Sequence, residues 1–180
     1  MNIANWITVF RILLVPFFII FLLYGRFKES LWLFCIAGIT DGIDGYIARS
    51  WGLKTELGSY LDPLADKLLL VSSFIVFSLK FPDLIPPWLT VLVISKDLII
   101  VIGVIILHFL INEPKIQPSF IGKCTTAVQI LLIFCSLLSK TSESSLLLST
   151  IDVTVYVAAF LTVAAGMQYV FYGTAQLNGN

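Results

Sequence analysis

The sequence predicts an all-α, polytopic membrane protein of six transmembrane helices, folded as one membrane domain over residues 1–180. Composition is the first sign. Apolar residues make up 58% of the chain and charged residues 12%, where soluble domains carry about 25% charged residues, and the mean hydropathy is +0.98. The second is patterning: apolar runs of roughly twenty residues, the length that crosses a bilayer, follow one another with only short polar or proline-rich turns between them. The third is where the charge sits. Asp41 to Lys67, DGIDGYIARSWGLKTELGSYLDPLADK, holds aspartates, an arginine and glycines between two of those runs. The formal net charge is zero, so composition makes no electrostatic case for nucleic acid. Cys35, Cys124 and Cys135 are odd in number, follow no ligand spacing and lie in or beside apolar runs. They are read as small packing residues rather than as a disulfide or zinc site.

The first span covers residues 5–24. Its apolar core is too long for a cleaved signal peptide and no basic segment precedes it. Asn5, Thr8 and Arg11 share a helical face, and Pro16 is expected to kink the helix. Arg11 either snorkels to the headgroups or works on the face it shares with Thr8. After the turn GRFKES the second span runs from about Leu31 to Ala48. Gly38 and Gly42 have small-x-x-x-small spacing, suited to helix contact within the chain or between chains. The third span runs from near Ser59 to about Leu79, with Pro63 in or near its first turn, where a missing N–H costs least.

The proline-broken turn KFPDLIPPW leads to the fourth span, about Trp88 to Leu110. It carries Lys96 and Asp97, neighbours that cannot face one another on a helix and are expected to find partners elsewhere. His108 has no neighbouring ligand residue and reads as interfacial. The fifth span opens at Gly122-Lys123-Cys124-Thr125-Thr126 and runs to about Leu138, and Ser139 to Ser145 reads as a serine-rich turn. The sixth covers about Ser149 to Tyr172, with Ala158, Ala159, Ala164, Ala165 and Gly166 suited to close packing, and GTAQLNGN is a short polar tail. Six spans put both termini on one side. Loop lysines and arginines do not choose that side: Arg49, Lys54, Lys115 and Lys123 face Arg26, Lys28, Lys80 and Lys140 in equal number.

The chemistry lies in the charged stretch. Asp41 and Asp44 are three apart, Asp62 and Asp66 four apart, so each pair occupies one helix face. A loop over Ser50 to Gly58 lets the two faces meet. Four converging carboxylates cannot all stay ionised without cations. Hard divalent ions resolve the conflict, and two of them side by side form the clamp used for in-line phosphoryl displacement. Gly42, Gly45 and Ala48 leave a face without bulk, against which a substrate can lie. Arg49 offers a planar fork for phosphate oxygens. The competing readings are a proton or ion pathway, as in a small proton-coupled transporter, and structural salt bridges with Lys67, Lys96 and Arg11. A transporter tends to show inverted repeats, whereas this acidic cluster occurs once. Thr8, Arg11, Lys96, Lys123 and Thr126 are donors near span ends on or toward the motif's side. They are the candidate anchors of an anionic acceptor such as a phosphomonoester.

The pattern Asp41-x-x-Asp44-Gly45-x-x-Ala48-Arg49, eight residues, then Gly58-x-x-x-Asp62-x-x-x-Asp66 resembles the signature of the CDP-alcohol phosphatidyltransferase family at every motif position. Asn5-x-x-Thr8-x-x-Arg11 and Pro118-x-x-x-Gly122-Lys123-x-x-Thr126-x-x-Gln129 are similar to segments of its members that form phosphatidylglycerophosphate, the second also to its cardiolipin-forming members. The resemblance implies transfer of a phosphatidyl group from CDP-diacylglycerol to an alcohol, with release of CMP. It implies two ions, Mg²⁺ or Mn²⁺, on Asp41, Asp44, Asp62 and Asp66, with Asp66 also the general base. Asp44, Gly45, Ala48, Arg49 and Gly58 would form the nucleotide and diphosphate site. Glycerol 3-phosphate is the implied acceptor and phosphatidylglycerol the alternative. Lys96 departs from the arginine usual in glycerophosphate-using members, keeping the charge but losing the bidentate fork. A homodimer in a bacterial inner membrane, with the site facing the cytoplasm, completes the expectation.

Overall fold

The structure, a computed structural model, describes residues 3–50, 56–110, 119–142 and 145–178, without the side chains of 3–5, 42–50, 56–63, 108, 145 and 177–178. Within these residues the chain forms α1 (Ile3–Leu23), α2 (Phe27–Ser50), α3 (Glu56–Lys80), α4 (Pro87–Leu110), α5 (Phe120–Thr141) and α6 (Ser145–Asn178), with no strand. Among the described residues four stretches are long and apolar enough to cross a membrane: Trp6–Leu23 in α1, Pro87–Leu107 in α4, Phe120–Thr141 in α5 and Leu146–Gln176 in α6. They account for four of the six spans expected from sequence. In α2 and α3 the described side chains cover residues 27–41 and 64–80 only, fewer than the roughly twenty residues that cross a bilayer.

The ends of the helices follow local chemistry. Gly25, at φ +74°, ends α1 in a left-handed conformation that glycine adopts at little cost. Gly25 N–H donates to Leu22 O and Arg26 N–H to Phe21 O, the paired bonds of a Schellman cap. Pro87 opens α4 at the position where proline's missing N–H is harmless. Ser119 caps α5, its hydroxyl accepting from Gly122 N–H at 3.0 Å. Several boundaries differ from the sequence expectation. Helix α3 begins at Glu56, so Pro63 lies about two turns inside it rather than in its first turn. Helix α1 runs through Pro16, as the expected span over residues 5–24 requires. The serine-rich turn is shorter than expected because α5 runs to Thr141 and α6 starts at Ser145. The polar tail is helical to Asn178: Ala175, Gln176 and Leu177 are good helix formers and extend the span beyond its apolar part.

Helix α1 packs on α2 and α3, α6 on α4 and α5, and α5 also meets α2 and α3. The close-packed core lies toward one end of the bundle. Phe18, Leu22, Phe74, Phe77, Ile85, Leu89, Leu132, Leu137 and Ile151 are all but fully buried there. Phe27 meets Phe81 edge-on at 5.6 Å, and Lys140 caps the Phe81 ring at 4.1 Å. At the same end the carboxyl of Glu29, on the first turn of α2, is held below its usual range by its own backbone N–H and by the Arg26 side chain.

Polar side chains also join helices, as they do where lipid offers no alternative partner. Thr125 Oγ1 donates to Leu161 O at 3.1 Å, and Gln129 Nε2 to Thr162 Oγ1 at 3.2 Å. Of the small residues of α6 expected to pack closely, Ala158 and Ala165 are buried, and Ala159, Ala164 and Gly166 are partly buried. Among the described residues a Cβ on Gly38 would meet nothing within 4 Å, so Gly38 makes no close helix contact with them. All three cysteines are free thiols, in keeping with a packing role.

Candidate active site

The end of the bundle opposite the phenylalanine core collects the charged groups. Thr8 and Arg11 are each 1% exposed, so the face they share in sequence points inward and Arg11 does not snorkel to the membrane surface. Its Nη1 donates to Asp41 Oδ1 and to Asp66 Oδ1, both at 2.7 Å. One guanidinium nitrogen on α1 therefore ties the first aspartate of the α2 pair to the last aspartate of the α3 pair, leaving both carboxylates half-exposed. The meeting of two acidic helix ends is thus seen directly for Asp41 and Asp66. Asp44, Gly45, Ala48 and Arg49 lie on α2, and Gly58 and Asp62 on α3, but their side chains are outside the described residues. The same holds for His108.

A second charged group adjoins the first. Asp97 of α4 forms ion pairs with Lys67 of α3 and, at 3.3 Å, with Lys96. The sequence expectation that Lys96 and Asp97 cannot meet is corrected here. The Lys96 stem is long enough to bring its ammonium back beside the neighbouring carboxylate, while Asp97 also finds the partner expected on another helix. Lys96 is buried, its stem passing α6 where a Cβ on Gly166 would lie 3.6 Å from Lys96 Cγ.

The remaining candidate anchors are on α5. Lys123 is exposed at the start of that helix. Thr126 is half-buried and donates to Gly122 O at 3.2 Å, while Tyr169 of α6 lies against Gly122. The structure brings Arg11, Asp41 and Asp66 together, and separately Lys67, Lys96 and Asp97. It shows no contact from Lys123 or Thr126 to either group among the described residues. Lys67 and Asp97 were not singled out as site residues from sequence. The signal available was their charge within or beside an apolar run, which in a membrane marks a functional or paired group by default.

These features define an integral membrane protein of helices with carboxylates and basic groups gathered at one end of the bundle. The chain belongs to the CDP-alcohol phosphatidyltransferase family, whose model it matches over residues 1–168. It is 35% identical to the CDP-diacylglycerol–glycerol-3-phosphate 3-phosphatidyltransferase of Bacillus subtilis (strain 168), across 93% of each chain. It is 37% identical to the probable phosphatidylglycerophosphate synthase of Mycobacterium tuberculosis (strain ATCC 25618 / H37Rv), across 99% of this chain and 84% of that one. The cardiolipin synthase (CMP-forming) of Rattus norvegicus is 35% identical across 96% of this chain, which spans 61% of that relative's length.

Proposed function

We propose that the chain transfers the phosphatidyl group of CDP-diacylglycerol to glycerol 3-phosphate, giving phosphatidylglycerophosphate and CMP. The observation that carries this reading is the junction of Asp41 and Asp66, from the two halves of the acidic motif, on one arginine. The similarity across nearly the full length of the Bacillus subtilis relative, which is named for that reaction, supports it. In this reading all six helices span the membrane, residues 1–180 form one domain, and both termini face the same side. That side is the cytoplasmic face of a bacterial inner membrane, where the nucleotide-linked donor is made. The chain works as a homodimer, and the open face of α2 at Gly38 suits a second copy.

The residues present fit divalent ions. Asp41, Asp44, Asp62 and Asp66 are an all-oxygen donor set, which hard cations prefer, and the two whose side chains are described are held close to one another. They would hold two ions, Mg²⁺ or Mn²⁺; when bound, these supply positive charge to the donor's diphosphate. The protein's own groups do the rest. Asp66 accepts the proton of the acceptor hydroxyl, whose oxygen attacks the phosphorus bearing diacylglycerol, and the bond to CMP breaks. Asp44, Gly45, Ala48, Arg49 and Gly58 shape the nucleotide pocket, with Arg49 on phosphate oxygens. Thr8, Lys96, Lys123 and Thr126 contribute to the acceptor site, whereas Arg11 is assigned first to the aspartates it touches.

CMP release is expected to stop in excess EDTA and to return on addition of Mg²⁺ or Mn²⁺. Full turnover in EDTA would sink the metal assignment. The acceptor is tested by giving the purified protein CDP-diacylglycerol with glycerol 3-phosphate and phosphatidylglycerol together. Phosphatidylglycerophosphate is the expected product. Cardiolipin would instead favour the second reading, a cardiolipin synthase, which the equal identity to the Rattus norvegicus relative supports.

A further inference from the structure

We propose that Asp97 is a positioning residue that gathers Lys67 and Lys96 into a cationic seat for the acceptor's phosphate, and that Lys67 is the group that binds it. The inference rests on the reading that the acceptor is an alcohol bearing a phosphate. Its geometric basis is a carboxylate shared by two ammonium groups. Lys67 reaches Asp97 from α3, and Lys96 lies 3.3 Å from the same oxygen. One lysine is enough to neutralise Asp97, so two leave the group with a surplus positive charge. Asp97 is mostly buried and Lys96 nearly fully so. In such surroundings a surplus charge is poorly screened, and an incoming anion is favoured.

The two lysines are not equivalent. Lys96 is enclosed, with α6 at Gly166 against its stem, and it sets the potential from behind. The Lys67 side chain is half-exposed and open to a ligand. Lys67 also directly follows Asp66, so α3 carries the proposed base and the phosphate-binding cation at adjacent positions. A short acceptor needs that arrangement. In glycerol 3-phosphate three carbons join the attacking hydroxyl to the phosphate, so a cation far from the base cannot hold one while the other reacts. The glycerol headgroup of phosphatidylglycerol has the same spacing between hydroxyl and phosphate. The seat therefore suits either source of that chemistry.

The test uses the full chain in lipid nanodiscs with CDP-diacylglycerol and Mg²⁺, titrating glycerol 3-phosphate and, in a second arm, phosphatidylglycerol. Lys67→Gln is expected to raise the KM of the acceptor about ten-fold or more, the loss expected for a charge-assisted hydrogen bond. The KM of CDP-diacylglycerol should stay within about two-fold, with kcat reduced less than the acceptor KM rises. Lys67→Arg keeps the charge and should recover most of the loss. Asp97→Asn should show the same split and Asp97→Glu should restore it, which a purely structural role for Asp97 does not predict. The arm in which the unaltered chain turns over identifies the source of the phosphate. Should Asp97→Asn fail to fold, the Lys67 pair decides. Transfer by the unaltered chain with an unchanged acceptor KM in Lys67→Gln, or with donor and acceptor KM rising together, would overturn the seat alone. No transfer to either acceptor by the unaltered chain would overturn the proposed function and the seat with it.

Discussion

Asp66→Asn is expected to lower kcat for phosphatidyl transfer by about 10²–10⁴-fold, the contribution of a positioned general base. Asparagine keeps the shape of the side chain, and its carbonyl oxygen can still accept from Arg11, so the contact that Asp66 makes at 2.7 Å survives. The substitution removes the basic oxygen on which a proton from the acceptor hydroxyl would land. It also weakens one of four proposed metal ligands, so the measurement is made at saturating Mg²⁺, and metal binding is followed separately by Mn²⁺ titration. Under those conditions the KM for CDP-diacylglycerol should change much less than kcat, because three aspartates remain for the diphosphate. Turnover near that of the unaltered chain would take Asp66 out of the base role. Loss of turnover in step with loss of Mn²⁺ binding would make Asp66 a ligand only.

The extent to which this site can be read from sequence depends on the range of the interactions involved. Helical periodicity places Asp41 with Asp44, and Asp62 with Asp66, because residues three and four apart must share a face. It also places Arg11 with Thr8, and both are found facing inward. What periodicity cannot give is which helix lies opposite which. Arg11 reads from sequence either as an acceptor anchor, because a cation beside an anion site suits an anionic substrate, or as a salt-bridge partner of the aspartates. The pairing of α1 with both α2 and α3 decides between them and sends it to the aspartates. The Lys96–Asp97 contact was missed for a different reason. Neighbour rules on a helix describe Cβ directions, whereas a lysine ammonium lies at the end of a flexible stem that can turn back.

Arg11→Gln should have the second large effect, and it separates a structural salt bridge from a site-building one. In the protein as it stands, the guanidinium holds Asp41 and Asp66 on a single nitrogen, with the arginine buried and the carboxylates half-exposed. Glutamine removes the countercharge and leaves two carboxylates facing each other across the space Arg11 filled. Charge-assisted hydrogen bonds contribute about 1.5–3 kcal/mol each, but solvent at these carboxylates screens part of that. A loss of about 1–2 kcal/mol and a fall of a few degrees in Tm are therefore expected in EDTA. Mg²⁺ should recover more Tm in Arg11→Gln than in the unaltered chain, because a bound cation then takes over a countercharge that Arg11 otherwise supplies. Turnover at saturating Mg²⁺ should still fall by about 10²-fold, the cost of misplacing reacting groups by roughly 1 Å, since Asp66 loses the bond that orients it. Arg11→Lys keeps the charge and loses the planar fork, and should fall between the two in both measurements. A stability loss that Mg²⁺ leaves untouched, with turnover preserved, would reduce Arg11 to a structural tie between α1 and its neighbours.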